Sequence, residues 1–215
     1  MRVCVSSGPT REHIDRVRFI TNASSGRMGL EVALCARQRG HDVTLVLGCV
    51  CEDVETSARD AGCDVVRFVS VDDLQHALEA EFSRCDALVM CAAVGDFRVD
   101  GAVDGKIARS HGSVTITLVP TEDILGGLCR HPHEGKVIVG FAVEAGDQQT
   151  CVAKAQAEQA KKGSDFTVVN TPRAMGARHS VACIISPERV VLPWASRPKS
   201  ELALEIVKLL ELEKS

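Results

Sequence analysis

The chain has 215 residues, 45% hydrophobic and 25% charged, and carries a net charge of −4. This is the make-up of a soluble globular protein, one domain over 1–215 with apolar side chains enough for a full core. There is no basic excess for nucleic acid, no apolar run long enough to span a membrane and no signal peptide in "MRVCVSSGPTREH", so a cytoplasmic protein is expected.

The predicted elements alternate. "RVCVSSG" reads as a short buried strand ended by glycine, and "MGLEVALCARQRG" places Met28, Val32, Cys35 and Ala36 at helical spacing before stopping at Gly40. "HDVTLVLG" and "CDVVRFV" are the second and third strands. "SVDDLQHALEAEF" is a helix with Ser70 as its N-cap, and "CDALVMCAAV" is a fourth, most apolar strand. "KVIVGFAV" follows as a strand, then the Ala- and Lys-rich helix "TCVAKAQAEQAKKG" closed by Gly163, then the strand "SDFTVVN". "VACIIS" and "RVVLP" form a hairpin around "SPER", and "SELALEIVKLLELEKS" closes the chain as a helix capped by Ser200. Residues 99–125 break the rhythm with glycine-rich turns and the alternating "SVTITLV", and read as a small excursion between two core strands.

Strand–helix alternation with near-continuous Val/Ile/Leu strands predicts the α/β class: a doubly wound, mostly parallel Rossmann-like sheet with helices on both faces. Ligands of such sheets gather at the carboxyl ends of the strands, where the strand order reverses. The ten cysteines do not read as a disulfide or zinc framework. Cys4, Cys91 and Cys183 sit in apolar segments, and Cys49 with Cys51 form a lone CxC, so reduced structural thiols are expected.

"NASSGRMG", residues 22–29, lies where a strand-end loop enters the first helix. The leading amides of a helix have no internal partners and are locally positive, and small residues there let a phosphate approach the backbone. A plain N-cap needs one serine. Two serines, two glycines and a leading Asn22 exceed that, and both readings stay open here. The stretch is neither GxGxxG nor GxxxxGK[ST], so neither standard dinucleotide binding nor P-loop hydrolysis follows. Upstream, Arg11, Arg16 and Arg18 surround Asp15. Arginine forks suit phosphate or carboxylate; Arg11 and Arg16 read as solvated, and Arg18, near Asn22, as the candidate. In "CAAVGDF", Ala92, Ala93 and Gly95 let a planar ligand pack on the backbone, while Asp96 reads as a metal or ribose ligand or as a simple turn residue. Phe141 in "GFAVEAG" reads as a stacking group or as core. Lys106 in "DGKIARS" matters only if its loop folds over a phosphate.

In this order, "GPTREHIDRVRFITNASSGRMG", "CAAVGDFR", "GKIAR" and "GFAVEA" resemble the phosphopantothenate–cysteine ligase family, the synthetase half of a bacterial flavoprotein that makes coenzyme A precursors. The likeness runs through most of the chain to "DFTVVN", "VVLP" and the last helix. The chain begins directly at this domain, so a stand-alone ligase is expected, with a separate decarboxylase acting next in the pathway. The resemblance implies a two-step reaction. CTP, with ATP as the alternative, activates the carboxylate of 4′-phosphopantothenate as an acyl-nucleotide and releases pyrophosphate; the amine of L-cysteine then displaces the nucleoside monophosphate. It also implies Mg²⁺ and a homodimer whose partner can complete the site. By the same resemblance Asn22, Arg18 and Lys106 are catalytic. Ser24, Ser25, Gly26, Met28, Gly29, Ala92, Ala93, Asp96, Phe141 and Lys162 hold the nucleotide, and Asp96 holds the metal.

The chain departs from the family pattern at three places. Gly95 and Phe97 stand in "AAVGDFR" where relatives have "AAVADYR". "GFAVEA" replaces "GFAAET". Glu158 stands where relatives carry the first of two lysines, the second being Lys162, with Lys154 and Lys161 as candidate substitutes. The rival reading is a Rossmann-type nucleotide-binding redox or regulatory protein without ligase activity, which the alternation permits and the missing GxGxxG opposes.

Overall fold

The computed structural model describes residues 1–109, 112–174, 177 and 179–213; Ser110 and His111 of the excursion and Lys214 and Ser215 of the expected closing helix lie outside the described residues. In chain order the protein builds β1 (Arg2–Ser7), β2 (Arg11–His13), β3 (Phe19–Thr21), α1 (Arg27–Gln38), β4 (Asp42–Leu47), α2 (Glu52–Asp60), β5 (Asp64–Arg67) and α3 (Val71–Phe82). It continues with β6 (Ala87–Met90), β7 (Phe97–Val99), β8 (Leu118–Pro120), α4 (Ile124–Cys129), β9 (Val137–Val143), α5 (Gln148–Lys162), β10 (Phe166–Asn170), β11 (His179–Ile185), β12 (Val190–Pro198) and α6 (Lys199–Leu212).

Eight strands form one sheet in the order β12-β11-β10-β9-β6-β1-β4-β5. The six from β10 to β5 are parallel. The chain winds outward from β1 to β5, then returns to β6 on the other side of β1 and winds outward again to β10. That reversal is the doubly wound arrangement the alternation predicts, and it opens a crevice beyond the carboxyl ends of β1 and β6. The antiparallel pair β11 and β12 extends the sheet past β10, as the hairpin around "SPER" predicts.

Strand periodicity sorts the core into two faces. Val3 and Val5 of β1, Leu45 and Leu47 of β4, and Ala87 and Val89 of β6 pack with Leu30 and Val32 of α1, Val54 of α2, and Leu202 and Ile206 of α6. The alternate residues Cys4, Val46, Leu88 and Met90 pack with Leu74 and Leu78 of α3 and Ile124 and Leu128 of α4. Each fully buried aliphatic or aromatic side chain of this kind stabilises the fold by roughly 1.5–3 kcal/mol. A smaller cluster seats Cys151 and Ala155 of α5 on Val169 and Cys183. All ten cysteines are free, most of them buried or half-buried.

Several elements differ from the sequence expectation. Helix α6 starts at Lys199 with Pro198 as its N-cap residue and no side-chain cap, so Ser200 lies inside the first turn rather than capping it. The proline, at φ −53° and ψ 146°, feeds the chain straight into the helix. Helices α2 and α4 were not visible in the sequence pattern: α2 buries only Val54 and Ala58, and α4 is six residues with Gly126 and Gly127 inside it. The unperiodic segment 11–21 folds as the hairpin β2–β3. Of "SVTITLV" only its end forms a strand, β8, which pairs with β7.

Ser70 caps α3 as predicted, in a full capping box: its Oγ accepts from Asp73 N, and the Asp73 carboxylate accepts from Ser70 N at 2.9 Å. Replacing Ser70 by Ala removes one leg of the box and is expected to lower the unfolding free energy by about 1 kcal/mol. Urea denaturation measures this, and an unchanged midpoint would contradict it.

Candidate functional site

The turn into α1 is fixed against the end of β1. Gly26 takes φ +72°, a left-handed conformation suited to glycine, and a Cβ there would stand 2.8 Å from Val50 Cγ1. A Cβ at Gly29 would lie 2.5 Å from both Cβ and Oγ of Ser7, so α1 approaches β1 as closely as backbone permits. Ser7 Oγ then donates to the Gly26 carbonyl at 2.6 Å. No side chain caps α1. Ser24 and Ser25 therefore do not act as N-caps; Ser24 Oγ accepts a long bond, 3.4 Å, from Gly26 N. The start of α1, Gly26 to Gly29, lines the crevice, and no side chain among the described residues caps its leading amides, which form a locally positive end.

The opposite wall is the exit of β6. Ala92 N donates to Ser6 Oγ and Ala93 N to Gly8 O, which holds this small-residue stretch flat beside β1. Asn22 joins the two walls: its Nδ2 donates to Val94 O at 2.9 Å and to Ala93 O at 3.4 Å. Gly95 is clamped by Thr10 Oγ1 and by Thr121 Oγ1, and Asp96 beyond it is exposed. Phe141, half-buried at the end of β9, completes the floor.

These walls enclose a cleft of about 680 Å³. It brings together Asn22, Ser24, Ser25, Gly26, Met28, Gly29, Ala92, Ala93, Asp96, Phe141 and Lys162, the nucleotide-binding residues and one of the catalytic residues expected from sequence. At its far end Lys162 Nζ approaches Asp123 Oδ1 at 3.5 Å, tying α5 to the N-cap of α4. Glu158 also lines the cleft and pairs with Lys161, while Lys154 sits 4.0 Å from Glu144, so neither candidate substitute is an uncommitted cation.

Among the cleft residues that sequence reasoning missed are Gln159, Asn170 and Lys199. Gln159 is buried; its Nε2 donates to Ser164 O and Asp165 O, which leaves Oε1 without a partner. Asn170 Oδ1 is likewise buried and unpartnered. Lys199, at the start of α6, is only 8% exposed. Burial, with Arg27 nearby, pushes its ammonium below the ordinary lysine range. The signal was present in the sequence: Lys199 stands on the stripe of Leu202, Ala203 and Ile206, and Gln159 on the stripe of Cys151 and Ala155, both polar residues on a buried helix face.

Arg18 and Lys106 lie outside the cleft. Asp15, 1% exposed, is the hub of a separate unit. Its carboxylate accepts from Val17 N, Arg18 N and Ile107 N and pairs with Arg18 Nη1 at 2.5 Å. Arg18 also donates to Ile107 O, and Arg16 pairs with Asp104. The β2–β3 hairpin and the loop that carries exposed Lys106 are thereby one body. Arg16 is exposed, as expected, and its pair with the exposed Asp104 lies at the surface of that body, whereas Arg11, also expected to be solvated, is half-buried and lies over the Phe19 ring at 4.4 Å.

Fold and site together define a doubly wound α/β domain whose first helix starts, without a side-chain cap among the described residues, at the topological switch point. The chain belongs to the family of the DNA/pantothenate metabolism flavoprotein C-terminal domain, whose model matches residues 1–212. It is 42% identical over 176 residues to the coenzyme A biosynthesis bifunctional protein CoaBC of Mycobacterium tuberculosis, covering 79% of this chain and 41% of that protein. It is 36% identical over 211 residues to a cysteine/cysteine sulfinic acid decarboxylase of an unknown prokaryotic organism, covering 96% and 57%. The chain thus spans about half the length of the curated relatives it matches. Among solved structures it resembles the C-terminal domain of a CoaBC protein, with TM-score 0.76, 27% identity and coverage of 98% of this chain and 94% of that one. It shares the fold of a Cab2 mutant in complex with phosphopantothenate-cysteine, with TM-score 0.77, 15% identity and coverage of 99% and 87%. No helix among the described residues is long and apolar enough to cross a membrane.

The Asp15 hub has a pH signature. Burial works to raise its carboxyl, but the backbone donors of Val17, Ile107 and Arg18 and the Arg18 guanidinium outweigh it and hold the group at about 2. A carboxyl depressed in the folded state contributes stability that is full above about pH 4 and is lost as pH falls towards 2. Glu211, bonded to Arg39 and His41, is also held at about 2 and titrates in the same window. Asp15→Asn is therefore expected to be less stable than wild type at pH 7, with the gap closing between pH 4 and 2 while the Glu211 contribution stays common to both. Urea midpoints against pH test this; a gap that does not change with pH would contradict it.

Proposed function

We propose that this domain joins 4′-phosphopantothenate to L-cysteine through an acyl-nucleotide, using CTP or ATP. The observation that carries the reading is the uncapped α1 terminus, pinned to β1 and facing small residues at the exit of β6. The family membership, and the order of motifs around this cleft, support it.

The substrate carboxylate attacks the α-phosphorus of the nucleotide. A carboxyl O–P bond forms, the P–O bond to the departing pyrophosphate breaks, and a mixed anhydride results. The cysteine amine then attacks the acyl carbon, loses a proton, and expels the nucleoside monophosphate. Both anions in the first step repel one another, so dipoles and cations set in advance must offset the accumulating charge. The α1 amides do this for phosphoryl oxygens. Small residues at Gly26, Gly29, Ala92 and Ala93 allow the phosphates and a planar base to touch backbone. The orphan acceptors Gln159 Oε1 and Asn170 Oδ1 suit donors such as ribose hydroxyls or an exocyclic amine.

Mg²⁺ fits this cleft in the manner usual for it, with one carboxylate and the ligand's own phosphates; Asp96 would supply the carboxylate and the ion would screen phosphoryl charge. Among the described residues no group of three His, Cys, Asp or Glu forms a protein cage for a metal. Asn22 bridges Ala93 and Val94, so it sets the width of the slot that receives the anhydride. An aspartate there would place a carboxylate against two carbonyl oxygens and against the anionic intermediate. Neither step needs a nucleophilic side chain, and a slot that sheds water protects the anhydride.

Lys106 enters the reaction through a homodimer. Val17, Phe19, Ile20, Phe97, Val103 and Leu118 are exposed on the body built around Asp15, the body that carries Lys106 away from its own cleft. A second copy seated on these residues would cover them and receive the lysine.

Purified protein with CTP, Mg²⁺, cysteine and 4′-phosphopantothenate is expected to release pyrophosphate; none with CTP or ATP would contradict the reading. Asn22→Asp and Lys106→Gln are each expected to lose most turnover alone. Mixed and reassociated, they should recover part of it, because one cleft of the mixed dimer keeps a native Asn22 and receives a native Lys106. No recovery on mixing would place Lys106 outside the reaction or inside its own subunit's site.

A further inference from the structure

Among the described residues three cations line the cleft: Arg27, Lys162 and Lys199. Arg27 Nη2 binds Asp53 Oδ2 at 2.9 Å, and Lys162 has Asp123. Lys199 has no hydrogen bond and no ion pair among the described residues, although it is 8% exposed. The charged or titratable groups acting on it are Arg27, Cys91 and Glu31, none of them within bonding reach. Taking an ammonium out of water with no counter-charge is unfavourable unless a ligand supplies the partner.

A lysine can lay its stem on apolar surface and keep its head in solvent. Lys199 is 8% exposed as a residue, and the open space beside it is the cleft itself, so a ligand seated there meets its ammonium. That cleft also holds the start of α1, whose amides lack a side-chain cap. An uncapped helix terminus and an unpartnered buried ammonium at one cavity call for the same thing, an anion with several oxygens.

We propose that Lys199 is the charged member of the α1 cradle and binds a phosphoryl oxygen of the ligand the helix amides hold. The inference rests on the ligase reading only for which phosphate this is: the tail of the nucleotide, or the phosphate ester of 4′-phosphopantothenate. It also answers the charge removed by Glu158. The cation that relatives carry on α5 is absent, and the cleft cation without a carboxylate comes from the start of α6.

The test compares wild type, Lys199→Met and Lys199→Arg in the full chain. Calorimetric titrations use inorganic pyrophosphate and, separately, 4′-phosphopantothenate, and urea unfolding is measured without ligand. Lys199→Met is expected to bind pyrophosphate about tenfold or more weakly, since a charged hydrogen bond is lost. Its ligand-free stability should equal or exceed wild type, because an unpaired buried charge is gone. Lys199→Arg should keep most of the affinity. A loss confined to 4′-phosphopantothenate supports the inference and assigns the site to the substrate ester. Wild-type affinity for both titrants in Lys199→Met would overturn it, as would a wild type that binds neither. A less stable ligand-free Lys199→Met would also overturn it, by showing a structural role. A protein with no pyrophosphate release from CTP or ATP, yet with weakened pyrophosphate binding in Lys199→Met, would sink the ligase reading and leave this one standing.

Discussion

Helix α1 can lie against β1 only because position 29 carries no side chain. A single added carbon would sit 2.5 Å from Ser7, inside any real contact distance. The bond from Ser7 Oγ to the Gly26 carbonyl closes the same joint from the strand side, and the left-handed Gly26 turns the chain into the helix without a capping side chain. A serine or aspartate cap would have satisfied the leading amides and ended their usefulness. Their freedom is a local loss of helix stability, offset by the packing of Leu30, Val32, Ala33 and Ala36 in the larger core. The doubly wound order then decides where those amides point, because β1 and β6 are the strands between which the winding reverses.

The charges of the molecule are divided between two bodies. Around the cleft most cations are already matched, Arg27 to Asp53 and Lys162 to Asp123. Such partly exposed pairs contribute little to stability. They hold α1 against α2 and α5 against α4, and so fix the ends of the cavity. The Asp15 hub does the corresponding work outside it, binding the β2–β3 hairpin to the loop that carries Lys106. Arg18 is therefore a positioning residue in this chain: its guanidinium is taken up by Asp15 and Ile107 and reaches the chemistry only through the loop it holds. Lys199 differs from all of these in having a charge and, among the described residues, no hydrogen bond or ion pair.

Much of this was legible in the sequence, for physical reasons that differ by element. Parallel strands buried on both faces read as continuous runs of Val, Ile and Leu, so "TLVL", "ALVM" and "VIVG" were visible without context. Capped, periodic helices such as α3 announce both their start and their face. Helix α2, with two buried residues in nine, and α4, with two glycines in six, carry too little pattern to stand out. The β2–β3 hairpin was illegible because a polar hub, not an apolar stripe, organises it. The cleft residues around "NASSGRMG" and "CAAV" were foreseen because small residues at a strand end have few other uses. Spatial assignment was the weak point. Sequence order placed Arg18 beside Asn22, but the hairpin carries it to Asp15 instead. Lys199 was passed over because the closing helix was expected to start one residue later, at Ser200, and Gln159 was not singled out within the Ala- and Lys-rich helix, yet each falls on a buried stripe.

The account depends on the free amides of α1 gripping phosphate, and a crystal structure of the protein with CTP and Mg²⁺ measures that most directly. The account predicts phosphoryl oxygens within about 2.7–3.2 Å of the backbone nitrogens at the start of α1, with the base lying toward α5. A nucleotide whose phosphates lodge elsewhere, with that helix start open to solvent, would contradict it.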